Sequence, residues 1–139
     1  MCKHKYSSYL KEGRLADVLA LIQVLAIDKY CQKNEEHIIK ALQGKPRSSG
    51  SWISVAKLHP EFFRVKKENK NPISLLKRYV TEEIGPKKRD PFSAEDTSEL
   101  CRLAIELYDR EVNRSQWWHP WLPVLTAILA ALLGVFLKS

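Results

Sequence analysis

Residues Ser51 to Val80 read SWISVAKLHPEFFRVKKENKNPISLLKRYV, and this stretch decides the fold. Ser51 is a helix N-cap residue that stands directly before WISVAKLH. Trp52, Val55 and Ala56 recur at helical spacing within that run, so they are expected to point inward from a short helix. A turn at PEFF follows, and its two phenylalanines are expected to close the core.

The pattern changes after this helix into a basic hairpin. RVKK, the turn-like ENKNP and ISLLKRYV follow one another, which predicts two short strands around Asn69 to Asn71. SLLKRYV taken alone would also suit a helix, so strand and helix both stay open for that segment.

Two helices are predicted upstream. The run RLADVLALIQVLAIDKY after Gly13 is apolar on more than one side, which is typical of a central buried helix. Asn34 caps the second helix, EEHIIKALQ, and Gly44 ends it before the polar loop KPRSSG. The resulting order, three helices and then a hairpin, matches a winged helix, in which the third helix and the hairpin form one surface.

GRLADVLALIQVLA, SWISVAKLHPEFFRVKK and ISLLKRYV together resemble a family of small, mostly uncharacterised bacterial proteins with a winged-helix-like domain. Some members of that family carry a C-terminal membrane segment. The resemblance covers about residues 13 to 80, and its most distinctive pieces are the tryptophan of SW and the HPEFFRV run, which also resemble winged-helix modules of chromatin-related proteins. It implies a fold and a bacterial source but no activity, because such folds host DNA readers and protein-interaction modules alike.

The chain is basic, with 23 Lys and Arg against 16 Asp and Glu and a net charge of +7. This balance favours polyanionic neighbours, which are nucleic acid or an anionic membrane leaflet. The predicted third helix has no Arg, Asn or Gln for bidentate base contacts, so non-specific DNA contact, lipid contact or a solvated hairpin all remain open. The candidate surface for a partner or nucleic acid comprises Lys45, Arg47, Ser54, Lys57, Arg64, Lys66, Lys67, Lys70, Lys77 and Arg78.

The final segment predicts a single transmembrane helix. Residues 117–137 read WWHPWLPVLTAILAALLGVFL without a charge, which is close to the length that a helix needs to cross a bilayer. Arg110 and Arg114 stand upstream, so that side is expected to be cytoplasmic, and the late position of the segment predicts a tail-anchored protein of the bacterial inner membrane. Indoles prefer the membrane interface, and three lie at one end of this segment: Trp117, Trp118 and Trp121.

The expected fold class is mainly α with a small β-hairpin, in four consecutive parts. Residues 1–80 form the winged-helix-like soluble domain, 81–92 a Gly- and Pro-containing linker, 93–116 an amphipathic helix, and 117–137 the anchor. Ser93 and Asp96 resemble a capping box for the amphipathic helix. Its apolar face either folds back onto the first helix, which is favoured, or pairs with its copy in a homo-oligomer.

Catalysis has little support in the sequence. No nucleophile motif or phosphate-binding glycine loop occurs, and Cys2, Cys31 and Cys101 are too scattered to suggest a metal site, so no enzyme, metal or cofactor is expected. The leading hypothesis is a membrane-anchored winged-helix adaptor that binds a macromolecule, more readily a protein than a specific DNA sequence. The alternatives are an oligomerising membrane effector of a stress or phage-defence system and a membrane-tethered DNA-binding regulator.

Overall fold

The computed structural model describes residues 9–30, 32–66, 70, 72–79, 90–117 and 119–138. Within these ranges the chain is mainly helical with a small three-stranded antiparallel sheet. The predicted class, mainly α with a small β component, is confirmed to this extent. In chain order the elements are α1 (Arg14–Ile27), β1 (Gln32–Lys33), α2 (Glu35–Leu42), α3 (Trp52–Leu58), β2 (Phe63–Val65), β3 (Ile73–Leu75), a 3-10 helix (Leu76–Tyr79), α4 (Ala94–Ser115), a 3-10 turn (His119–Trp121) and α5 (Leu122–Lys138).

Three of the predicted helix starts are confirmed by side-chain caps. The Asn34 side chain accepts the backbone N–H of His37 at 2.9 Å, and Ser51 Oγ accepts that of Ser54 at 3.1 Å. Ser93 Oγ accepts the backbone N–H of Asp96, also at 3.1 Å. Each cap satisfies a donor that the first helical turn leaves without an intrahelical partner, which is worth about 1 kcal/mol.

The end of α2 differs from the prediction by its terminating residue. Gln43, and not Gly44, adopts the left-handed conformation, with φ 55° and ψ 29°. The N–H of Gly44 donates to the carbonyl oxygen of Ile39 at 3.1 Å. Gly44 thus caps a free carbonyl at the helix end, but it is not the residue with the left-handed backbone.

The predicted hairpin is present, and its first strand pairs with its second in antiparallel register. Phe63 lies opposite Leu75, and Val65 lies opposite Ile73. The second strand ends at Leu75, and residues 76–79 turn into a 3-10 helix where the prediction allowed either strand or helix. No sequence pattern predicted β1, which has two residues and pairs with the other side of β3, so that the sheet order is β1-β3-β2.

The core is centred on α1, which packs against α2, α3, β3 and α4. Five of its apolar side chains are fully buried: Val18, Leu21, Ile22, Leu25 and Ala26. Trp52, Val55 and Ala56 of α3 point inward as predicted, and Phe62 and Phe63 are buried beside them. Burial of each large apolar side chain contributes roughly 1.5–3 kcal/mol, so this cluster is the main source of stability for the folded part.

Helix α4 folds back onto α1, which is the arrangement favoured from its apolar face. Leu100 and Ala104 are buried in the contact, and the backbone N–H of Phe92 bonds to the carbonyl oxygen of Ala26 at 3.0 Å just before α4 begins. The amphipathic helix therefore shares a core with the helices and sheet that precede it.

Arg78 is the main correction to the predicted surface. Its side chain is completely buried, and its guanidinium donates to the carbonyl oxygens of Leu25 at 2.8 Å, Asp28 at 2.5 Å and Asp90 at 3.2 Å. The Phe92 ring lies 6.0 Å from the guanidinium carbon. The prediction that Arg78 belongs to the solvent-facing basic surface is therefore wrong, because its guanidinium is an internal donor for carbonyls at the end of α1 and in the segment before α4.

Replacing Arg78 with methionine is expected to lower the free energy of unfolding by about 3 kcal/mol, because three carbonyl acceptors lose a buried charged donor. The same change at exposed Arg102 of α4 is the matched control, with an expected effect below about 0.5 kcal/mol. Urea titration of the detergent-solubilised protein, followed by near-ultraviolet circular dichroism, measures both. Equal losses in the two variants would contradict the assigned role.

Tyr9 connects the N-terminal part of the chain to the segment after α3 through contacts with His59 and Glu61. Its hydroxyl donates to the Glu61 carboxylate at 2.5 Å, and its ring lies 4.4 Å from the buried His59 ring, whose Nδ1 is 2.9 Å from the same carboxylate. Burial alone would raise the pKa of Glu61, but the hydrogen bonds from His59 and Tyr9 outweigh burial and lower it. Burial and then Glu61 raise the pKa of Tyr9 well above its usual range, so the hydroxyl stays a donor.

Tyr9→Phe is expected to cost about 1 kcal/mol of unfolding free energy at neutral pH, because it removes one hydrogen bond to a partly exposed carboxylate. The folded pKa of Glu61 lies below 4.5, so this contribution is present above about pH 4.5 and is lost as the pH falls through the folded value. Urea titrations of both proteins across this range should therefore converge in acid. A difference that stays constant or grows in acid would contradict the assignment.

Candidate functional site

The candidate site is a cleft of about 490 Å³ between the start of α2, α3 and the β2–β3 hairpin. Its apolar lining consists of Ile53 from α3, Val65 from β2 and Pro72 from the segment before β3, each half-buried. Lysines from three parts of the chain border it: Lys57, Lys66 and Lys70. The predicted third helix and hairpin thus line one concave surface.

Glu35 holds α3 in place at this cleft. Its carboxylate accepts the backbone N–H of Trp52 at 2.6 Å and that of Ile53 at 3.0 Å, so a residue of α2 satisfies the free donors at the start of α3. The indole N–H of Trp52 also donates to the carbonyl oxygen of Gly44 at 3.0 Å. These bonds set the position of α3 against α2, and the sequence indicated only that Glu35 sits in the first turn of α2.

The hairpin side of the cleft is held by backbone pairing that continues past the strands. The N–H of Lys66 donates to the carbonyl oxygen of Pro72 at 2.9 Å, next to the Val65–Ile73 pair. Ser74 Oγ also donates to the carbonyl oxygen of Arg64 at 3.3 Å. Lys66 and Pro72 are therefore kept at the same level of the hairpin, where both line the cleft.

A buried polar network positions the loop that leads into α3. Asp17 of α1 accepts the backbone N–H groups of Arg47 at 3.0 Å and Ser48 at 2.7 Å, and also the Ser48 hydroxyl. Arg14 donates to the carbonyl oxygen of Ser48 at 3.1 Å. Sequence reasoning missed this pair, although two charged residues three apart at the start of an apolar helix are a usable signal for buried polar contacts.

The structure separates the predicted surface residues into groups. Three of them, Lys57, Lys66 and Lys70, line the cleft, while Ser54 and Arg64 are exposed on α3 and β2 nearby. Others are exposed on the α2–α3 loop and are not among the described residues that line the cleft: Lys45 and Arg47. Lys67 lies outside the described residues.

Lys77 and Arg78 are engaged elsewhere. Lys77 Nζ lies 2.8 Å from Glu99 Oε2 and 3.4 Å from Asp96 Oδ1, so it bridges the 3-10 helix to α4. The hydrogen bond to Glu99, followed by the one to Asp96, raises the pKa of Lys77 above its ordinary value despite partial desolvation. With Arg78 buried, the basic surface around α3 and the hairpin is smaller than the sequence indicated.

The electrostatic balance at the cleft is mixed. Three lysines face two glutamates along its lining, and Glu35 is already bonded to α3 while Glu36 is exposed. A lining of this kind can attract a carboxylate, but it offers a long polyphosphate chain both attraction and repulsion. Within the described ranges no three His, Cys, Asp or Glu side chains are grouped so that they would hold a metal ion.

The C-terminal helix forms the candidate membrane contact. Among the described residues there is one helix that is long and apolar enough to cross a membrane, and none of its apolar window is buried against the rest of the protein. Trp117 is 69% exposed and Trp121 is 58% exposed, and both stand at the start of the apolar segment as predicted. Trp118 lies outside the described residues.

No family model, no curated protein and no solved structure matches the chain. The family resemblance described from the sequence therefore rests only on the residues quoted for it. In the part of the chain that is described, sequence and structure together establish a mainly helical fold with a small antiparallel sheet and a long apolar C-terminal helix.

Proposed function

We propose that this protein is a membrane-anchored adaptor whose winged-helix domain binds a partner protein through the cleft between α3 and the hairpin. One observation carries the proposal: α3 and the β2–β3 hairpin border a single cleft that has an apolar lining and lysines from separate elements. A concave, partly apolar surface with a few polar groups at its edge is the usual form of a binding site.

The order of the elements supports the winged-helix part of the proposal. Helices α1, α2 and α3 precede the hairpin, and the short strand β1 between α1 and α2 joins the hairpin at β3. In a winged helix the third helix and the hairpin provide the contact surface, and here the same two elements line the cleft.

The residues that face the cleft favour protein over DNA. Among them, Lys57 is the basic side chain that α3 contributes, and the helix has no Arg, Asn or Gln with which to read bases. Tight non-specific DNA binding needs many simultaneous phosphate contacts, whereas Arg78 is buried and Lys77 is paired with carboxylates. A mixed-charge, partly apolar cleft suits a protein segment better.

The apolar C-terminal helix supports the anchoring part of the proposal. Its exposed apolar surface has no cover within the described residues, and tryptophans stand at its upstream end. Arg110 and Arg114 precede those tryptophans, which favours a cytoplasmic location for the folded domain. We place the protein at the inner membrane of a bacterium, with the cleft accessible from the cytoplasm.

Photo-crosslinking tests the partner directly. A benzophenone amino acid at exposed Ser54, one turn from Lys57 on α3, is expected to give one discrete adduct in native membranes that contains peptides of a second protein. Exposed Ser98 of α4 is the matched control position and is expected not to give that adduct. An adduct that nuclease removes would favour the DNA-binding alternative, and the absence of any Ser54 adduct would contradict the adaptor.

Charge reversal at the cleft is expected to weaken that adduct. Lys57→Glu combined with Lys66→Glu replaces attraction by repulsion at two lining positions, so the adduct yield should fall at least about fivefold. Lys11→Glu combined with Lys40→Glu makes the same net charge change at exposed positions outside the cleft lining and should leave the yield unchanged. Equal losses in both pairs would mean that net charge, and not the cleft, controls binding.

Membrane insertion is tested within α5. Leu125→Lys combined with Leu129→Lys should release the protein from membranes during alkaline carbonate extraction, because each charge near a helix centre costs about 2.5–3.5 kcal/mol. The control, alanine at the same two positions, keeps the helix apolar and should stay in the membrane pellet. Retention of the lysine variant in the pellet would contradict a bilayer-spanning helix.

A further inference from the structure

We propose that the cleft between α3 and the hairpin takes an acidic peptide segment of the partner, in which an apolar side chain seats on the cleft lining beside a carboxylate that pairs with lysine. This inference rests on the proposed function, since it gives the chemistry of the segment that the adaptor binds.

The apolar part of the cleft provides the first half of the recognition. Ile53, Val65 and Pro72 are each half-buried, so part of their apolar surface remains open where α3 faces the hairpin. A volume of about 490 Å³ lies in the range of pockets that hold small ligands, about 300–1,000 Å³, so it has room for a few side chains of a peptide. Burial of one apolar side chain there supplies an anchor of the kind that dominates interface energies.

The lysines provide the second half. Lys57 belongs to α3, Lys66 follows β2, and Lys70 belongs to the turn of the hairpin, so positive charge reaches the cleft from three parts of the chain. Lys57 and Lys70 are exposed, and a flexible ammonium at such a position can follow a carboxylate of the bound segment. Charge complementarity therefore selects acidic segments and speeds their association.

The glutamates argue against a general polyanion site. Glu35 is held by its two bonds to α3, but Glu36 is exposed and belongs to the cleft lining, so it adds negative charge there. A phosphate chain would present negative charge along its whole length and meet this carboxylate, whereas a peptide can place a neutral residue or a backbone N–H group there. The cleft thus favours a segment whose negative charge is local.

A phage-displayed library of random dodecapeptides, selected on the intact protein in detergent micelles, tests the inference. The expected enriched peptides carry Asp or Glu next to or one residue from a large aliphatic or aromatic residue. Synthetic copies of the enriched peptides are then measured by fluorescence polarisation. Enrichment of peptides without acidic residues, or no enrichment at all, would overturn the inference.

Two pairs of variants locate the binding. Lys57→Glu combined with Lys66→Glu should lower the affinity for the enriched peptides about tenfold. Val65→Thr keeps the side-chain shape but adds a hydroxyl to the cleft lining, and it should lower the affinity about fivefold. The matched controls are Lys11→Glu combined with Lys40→Glu at exposed positions, and Val24→Thr at a half-buried position of α1, all outside this cleft. Circular dichroism verifies that each variant is folded. Equal weakening by a variant and its control would overturn the assignment to this cleft.

Competition separates the ligand classes. Short duplex DNA and vesicles of phosphatidylglycerol should displace the peptide poorly, and displacement by either at concentrations similar to the peptide's own would replace the inference with a polyanion site. The result is also separable from the adaptor function. A protein adduct at Ser54 without enrichment of acidic peptides would support the adaptor and contradict this inference. Enrichment of acidic peptides without an adduct would support the peptide preference of the cleft and contradict the adaptor.

Discussion

The guanidinium of Arg78 connects parts of the chain that are far apart in sequence. It bonds to two carbonyls at the end of α1 and to the carbonyl of Asp90, which lies three residues before Ser93, the N-cap of α4. A buried charge is costly unless its donors are satisfied, so the arrangement is stable only when α1, the 3-10 helix and the entry to α4 are all in place. Arg78 therefore supports the docking of α4 on α1 with polar contacts, beside the apolar contacts that Leu100 and Ala104 make there.

The shape of the cleft depends on contacts that position α3 and the hairpin. Helix α3 has seven residues, too few to be stable alone, and it takes its position from Glu35 at its start and from the loop that Asp17 holds. The hairpin receives its position from β1 and from the buried side chains of β3. The surface that we assign to binding is thus a product of tertiary contacts.

Helix positions were predictable because local signals coincide there. Asn34, Ser51 and Ser93 each stand before a run with helical spacing, and all three cap helices in the structure. Strand β1 was not predictable, since two residues carry no periodicity and their pairing depends on distant β3. Arg78 was misassigned because a basic residue within a basic run suggests solvent exposure, whereas its burial follows from carbonyls contributed by α1 and by Asp90, which no local pattern reveals.

The packing of α4 on α1 also limits how far the domain can travel. Tyr108 still packs against the core and α4 ends at Ser115, so only about 10 Å of helix separates the last apolar core contact among the described residues from the end of α4. With α5 in a bilayer, as proposed, the folded domain would lie close to the membrane surface. In the proposed arrangement, a membrane-bound partner would meet the cleft by lateral diffusion at a high effective concentration, and the membrane would hinder bulky soluble assemblies.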